Sequence, residues 1–166
     1  YLKNTINKKT ISLSKRTDRK GSGGIVFLNV FFKDEMGNDL KYFCAGQDSY
    51  FWIKYRVVDS NIKEFDFSMP INWEVPELRL AHIYSKTINQ KIKIINKNGL
   101  IKLKIKKLPF NQGTYLFNLW ADYNGKILDW IINAGNFNVE FGDFYNTGKL
   151  PNNNQGKILL DYEIIL

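Results

Sequence analysis

A tryptophan set among short polar side chains is the most chemically suggestive feature of this 166-residue chain. In residues 114–123, Tyr115, Phe117, Leu119 and Ala121 alternate with Leu116, Asn118, Trp120 and Asp122. An extended strand buries the first row and presents the second. An indole beside a carboxamide and a carboxylate suits a sugar: the ring packs on a pyranose C–H patch while Asn118 and Asp122 hydrogen-bond adjacent hydroxyls. Segment 136–141 is expected alongside, adding Asn136, Asn138 and Glu140 to the same face. Trp73, His82 and Tyr84 flank a stretch carrying Pro70 and Pro76, which either lines a groove or plugs one end of the fold. The competing reading of Trp120 is that a loop or a second subunit covers it.

Other chemistry does not assemble. The glycines at 21, 23 and 24 have neither the lysine nor the following helix of a phosphate-cradling loop. His82 is the single histidine, and no further zinc ligands accompany it. Cys44, after Phe43 in a strand-like context, reads as a packed small residue rather than a nucleophile partnered by His82. Asp122, Asp129, Glu140 and Asp143 offer carboxylate pairs for glycosidase chemistry, but any β-sandwich surface supplies such pairs. The expectation is no catalytic residue, no metal and no cofactor. One cysteine makes no internal disulfide, which favours a reducing compartment.

The elements that must position these side chains are strands. A hydrophobic fraction of 44%, with 12 Phe, 9 Tyr and 4 Trp, is enough for a core and excludes a wholly disordered chain. The apolar runs are too short to cross a bilayer, and the first residues do not read as a signal peptide. Residues 1–20 read as a solvated connector with one short edge strand at 10–14. In 25–33 the row Val26, Leu28, Val30 and Phe32 is backed by Ile25, Phe27 and Phe31, so this strand is expected to be covered on both sides. Residues 50–58, 65–73 and 98–106 alternate similarly, and Asn124-Gly125 is a strong hairpin signal between 114–123 and 126–133. Residues 136–141, with Phe137, Val139 and Phe141 inward, and a last strand at 157–166 complete the pattern. About nine short strands with frequent turns predict an all-β protein, an antiparallel immunoglobulin-like sandwich with Greek-key connections, a closed barrel being the alternative. The linker is assigned to 1–20 and the sandwich domain to 21–166.

The net charge of +8 is uneven. Residues 1–20 carry +6 and residues 86–107 carry +8, which leaves the remainder acidic. Lys, Asn and Ile make up about a third of the chain, the mark of an AT-rich coding bias that inflates lysine. Trp52, Lys54 and Arg56 beside Lys102, Lys104 and Lys106 would form a basic aromatic face suited to single-stranded nucleic acid or an anionic glycan. No nucleic-acid-binding motif accompanies it, so nucleic acid is not expected as a partner.

Three stretches resemble the C-terminal domain of Wzt-type ATPase subunits, which belong to ABC exporters of O-antigen and related polysaccharides. They are Arg16-Thr17-Asp18-Arg19-Lys20-Gly21-Ser22-Gly23 running into the apolar strand; Leu108-Pro109-Phe110-Asn111-Gln112-Gly113-Thr114-Tyr115 with Leu128-Asp129-Trp130; and residues 137–148, from Phe137-Asn138-Val139-Glu140 to Tyr145-Asn146-Thr147-Gly148. The resemblance spans roughly residues 14–166, with Asn146 where the family often has glycine and an idiosyncratic 70–98 segment. It implies a non-catalytic, cytoplasmic carbohydrate-binding module that recognises a lipid-linked polysaccharide for export and dimerises. It also implies an ATPase domain upstream, through which the module meets the membrane-channel subunit at the inner face of the cytoplasmic membrane. Residues 1–20 would be the tether, their charge near anionic head groups. On this reading the sugar contacts fall to Trp120, Asn118, Asp122, Asn138, Glu140, Trp73 and Tyr84. The alternative is an accessory sandwich of a glycan-processing enzyme.

Overall fold

Period-two alternation builds two sheets that face each other across a shared apolar core. The computed structural model describes residues 10–73 and 78–166. Ten strands follow in chain order: β1 (Thr10–Ser12), β2 (Ile25–Lys33), β3 (Phe43–Cys44), β4 (Ser49–Val57), β5 (Glu64–Trp73), β6 (Leu78–Tyr84), β7 (Ile92–Lys93), β8 (Asn98–Ile105), β9 (Gly113–Tyr123) and β10 (Lys126–Glu140). One sheet has four strands in the order β1-β2-β4-β8. The other runs β3-β10-β9-β5-β6, with β7 against the start of β5. Pairing is antiparallel except for the short β3, which lies parallel to the end of β10. The protein is an all-β sandwich, as the alternation predicts.

Between the sheets, Phe32, Phe43, Phe51, Phe117 and Phe137 interlock, with Phe43–Phe51 centroids 5.0 Å apart and Phe51–Phe137 5.2 Å apart. Most of these contacts are edge-on, the arrangement the ring quadrupole favours. Phe51, Phe117 and Phe137 come from rows that the sequence pattern places inward, whereas Phe43 comes from the two-residue β3, which carries no alternation.

Strand β2 departs from its expected register. Ile25 and Phe27 point inward, a bulge between Phe27 and Asn29 follows, and Val30 and Phe32 then point inward. Val26 and Leu28 are therefore half-buried on the outer side instead of sharing a face with Val30. Among the described residues, no third layer of strands or helices covers that outer face. The ammonium groups of Lys33 and Lys54 lie over Phe31, and those of Lys33 and Lys102 over Trp52, so lysine side chains shelter the rings instead.

The bulge frees backbone groups that the ladder cannot satisfy, and a buried ion pair takes them up. Asp129 Oδ2 accepts the Phe27 N–H at 2.9 Å and an Arg19 Nη1–H at 3.2 Å. Arg19 also donates to the carbonyls of Phe27 and Leu13, the latter at 2.6 Å. The Asp129 side chain is 1% exposed and that of Arg19 17%. Burial pushes the Asp129 carboxyl above the usual range, opposed by the Phe27 N–H and the Arg19 charge.

This arrangement corrects the connector assignment for residues 10–20. Leu13 is in the core, β1 pairs with β2, and Arg16 donates to the carbonyls of Ile132 and Asn133. The segment belongs to the sandwich, and residues 1–9 lie outside the described residues. Segments 126–133 and 136–141 form the single strand β10, and Phe141 is exposed beyond its end. Residues 157–166 form no strand. Leu159 N–H bonds to Pro109 O at 2.7 Å, after which Leu160, Tyr162 and 164–166 are exposed. Strand β6, within the segment that read as idiosyncratic, was not expected. Among the described residues no helix is long and apolar enough to cross a membrane.

Candidate functional site

The outer face of the β3-β10-β9-β5-β6 sheet carries a hollow of about 400 Å³. Its floor is the outer row of β5, where Ser68 and Pro70 are small enough to leave depth. Pro70 has no N–H to donate, and β5 pairs with β9 on either side of Met69 and Pro70 but not at them. One wall is Trp120 and Trp130, the other His82 and Tyr84, with Arg79 and Lys86 at the rim.

Strand irregularities set both walls. After the two-residue turn, Lys126 pairs with Tyr123, and that register would place Asp129 opposite Trp120. A shift between Ile127 and Asp129 puts Trp130 opposite Trp120 instead, with ring centroids 5.0 Å apart at 60°. On β6 a shift at Leu80 brings Arg79 opposite Asn72, where its Nε contacts Asn72 Oδ1 at 3.4 Å. His82 and Tyr84, two residues apart on the same face, stack with parallel planes and centroids 5.5 Å apart.

The polar groups are held in place by one another. Asp122 Oδ1 accepts the Trp120 indole N–H at 3.1 Å and the Tyr84 hydroxyl at 3.4 Å, tying the two walls together. Directly across the ladder from Asp122 is Asp66, also buried. Like charges opposite each other are unfavourable unless each has its own donors. Ser85 Oγ donates to Asp66 at 3.0 Å, and Lys91 Nζ lies 3.7 Å from it. Tyr84, with help from Asp122, raises the pKa of the Lys86 ammonium. The Ser68 hydroxyl and His82 Nε2 are 2.7 Å apart. Partial burial, reinforced by Arg79, lowers the His82 pKa, so the imidazole is neutral at pH 7. Ser68 lies mid-strand, in register with both Tyr84 on β6 and Trp120 on β9. Aromatic walls over a floor of hydroxyl, carboxylate and amide groups can hold a polyhydroxylated ligand by stacking and hydrogen bonding.

The sequence profile of the Wzt C-terminal domain family matches residues 16–151. The chain belongs to the Wzt C-terminal domain family. Among solved structures, a crystal structure of the C-terminal domain of Wzt superposes with a TM-score of 0.69 at 15% identity, covering 91% of this chain and 90% of that one. That likeness is one of fold. No curated protein matches the chain.

In this Wzt C-terminal domain, four of the seven residues singled out from sequence meet at the hollow: Trp120, Asn118, Asp122 and Tyr84. Asn118 accepts the Asn133 N–H on its carboxamide oxygen at 2.8 Å, within the irregularity between Ile131 and Gly135, so part of its hydrogen-bonding capacity is already used within the sheet. Trp73 lies on the inward row, edge-on to Tyr115 at 5.5 Å, with Lys157 Nζ 3.7 Å above its ring, and does not reach the hollow. Asn138 pairs with Thr114 and accepts its hydroxyl at 2.9 Å. That position is six residues along β9 from Trp120, roughly 20 Å at about 3.4 Å per residue. Glu140 is further still, beside Cys44. Sequence reasoning missed Ser68, Arg79, Lys86 and Trp130, and treated His82 as a groove-flanking or surface residue. A usable signal was the His82-x-Tyr84 spacing, which puts two rings on one strand face. Among the described residues, no group of three or more His, Cys, Asp or Glu is placed to hold a metal ion.

Proposed function

We propose that this domain is a non-catalytic carbohydrate-binding module that captures a lipid-linked, O-antigen-type polysaccharide for a Wzt-type ABC exporter. The observation that carries the reading is the hollow itself, in which two indoles and a tyrosine ring stand over a polar floor. Family membership supplies the exporter context. On this reading an upstream ATPase domain joins the module to the membrane-channel subunit, and the module works in the cytoplasm at the inner face of the membrane. It acts as a homodimer, so two weak sites gain avidity on one polymer. The extended end of the chain, with Leu160, Tyr162 and Ile164 exposed, supports a partner subunit. An enzyme on the same hollow is less well supported. Asp122 and Glu140 are separated by most of the length of β9, roughly 30 Å at about 3.4 Å per residue, against the ~5–9.5 Å that paired glycosidase carboxylates need.

The test is titration of O-antigen polysaccharides freed of lipid, followed by calorimetry. Covering roughly 80 Å² of indole is worth about 2 kcal/mol at about 25 cal/mol/Å², so Trp120→Ala weakens binding about thirtyfold. Trp120→Phe, which keeps a ring, loses less. Binding of a neutral polysaccharide varies little with salt, whereas a nucleic-acid ligand shows a steep decline. A folded Trp120→Ala protein that binds as tightly as the parent removes the hollow from the mechanism, and failure of every polysaccharide to bind removes the reading.

A further inference from the structure

Charge and apolar exposure coincide at one end of the sandwich. The loop 58–63, the segment 85–97 and the β9–β10 turn meet there: Ile94 N–H bonds to Lys63 O at 2.9 Å, Val57 N–H to Lys97 O at 2.7 Å, and Asp66 pairs with Asp122 just before the turn. This end carries Lys63, Lys86, Lys91, Lys93, Lys97 and Lys126 against the surface acids Asp59 and Glu64 and the buried Asp66 and Asp122, with Lys91 3.6 Å from Glu64 and 3.7 Å from Asp66, which leaves an excess of two positive charges. Among these lysines stand three exposed branched apolar side chains, Ile95 at 89%, Ile88 at 67% and Val58 at 60%, with Ile95 and Val58 lining one shallow depression. Lysine alone is a solvated surface. Lysine surrounding apolar tips is what a bilayer interface rewards, because head-group charge holds the cations while the tips enter the boundary beneath. A phosphate polymer accounts for the lysines but leaves Ile95, Ile88 and Val58 in water, and no aromatic ring among the named residues offers a base a stacking surface.

We infer that this end docks on an anionic phospholipid surface, with Ile95 and Val58 at the point of entry. Lys86 belongs both to this end and to the rim of the hollow, so docking sets the hollow beside the head groups. Apart from Lys86, the inference stands on different residues from the polysaccharide reading and does not depend on it.

The experiment is co-sedimentation of the 166-residue chain with vesicles of phosphatidylcholine, alone or with a minority of phosphatidylglycerol. The expected result is partition onto the anionic vesicles only, weakening as salt is added. The pair Lys93→Glu/Lys97→Glu and the single Ile95→Ser each lower the partition coefficient at least about tenfold. Lys149→Glu, in the corner after β10 at the opposite end, leaves it unchanged. All are exposed positions, and near-ultraviolet circular dichroism matching the parent shows that the variants fold. No partition onto anionic vesicles, equal partition onto phosphatidylcholine alone, or retention by either the lysine or the Ile95 variant overturns the inference. Capture by single-stranded DNA without capture by vesicles overturns it in favour of nucleic acid.

Discussion

Removing the Asp129 carboxylate tests whether the Arg19–Asp129 pair is the clasp that joins β2 to β10. In Asp129→Ala, the Phe27 N–H loses its acceptor and Arg19, 17% exposed, loses its countercharge. Removing one partner of a buried pair costs about 3–5 kcal/mol, because the remaining charge stays desolvated. Against the ~5–15 kcal/mol that holds a domain of this kind together, that is about a fifth of the total or more. With a urea dependence of roughly 2 kcal/mol/M, the midpoint falls by about 1.5–2.5 M. The assay is urea unfolding followed by tryptophan fluorescence. The double variant Arg19→Met/Asp129→Leu should lose clearly less than Asp129→Ala, since no unpaired charge remains. An Asp129→Ala midpoint within about 0.5 M of the parent, which is under about 1 kcal/mol, refutes the reasoning and leaves β1 and the Leu13 contacts as the closure.

Two further predictions rest on single contacts. His82 is the single histidine, so its ring protons give one clear NMR titration. Its midpoint should lie below 6.5, and Arg79→Gln, which removes the neighbouring positive charge, should move it upward; a midpoint at or above 6.5 contradicts the site geometry. Because the folded pKa is depressed, the stability tied to this group is fully present above pH 6.5 and is lost as pH falls through the folded value, which unfolding series across that interval should register. Gly142→Ala should cost about 1–3 kcal/mol, because a Cβ there runs into the Ala45 carbonyl oxygen, a backbone atom that cannot swing away. A melting temperature within a degree of the parent counts against that contact.

The core was legible because it obeys the two-residue period: Phe51, Ile53, Tyr55 and Val57 on β4, or Tyr115, Phe117, Leu119 and Ala121 on β9, face inward as their spacing requires. The errors collect where a strand gains a residue. At Phe27/Asn29 the bulge exchanges the faces of β2, and at Ile127/Asp129 it turns Trp130 outward and Asp129 toward Arg19. Nothing in local composition announces such a shift, since it is settled by partners distant in sequence. The edge strand expected at 10–14 is present as β1, but the charged composition of residues 10–20 hides two arginines engaged with distant partners, Arg16 with the Ile132 and Asn133 carbonyls and Arg19 with Asp129. The hollow was half legible: Trp120, Asn118 and Asp122 follow from alternation on one strand, whereas the opposite wall needed β6 and its pairing with β5. Asn138 and Glu140 were placed on the right face but at the wrong distance, because sequence gives sidedness and not how far along the ladder two residues lie.

Ser68 and Pro70 alternate along β5 with Phe67, Met69 and Ile71, so the hollow and the packed interior draw on separate sets of positions in one strand. On the proposed reading, folding and recognition thereby fall on separate residues. Outer-row side chains such as Arg79, His82 and Trp130 can, on that reading, be exchanged without touching the interlocked phenylalanines, so one scaffold could serve different ligands without being rebuilt.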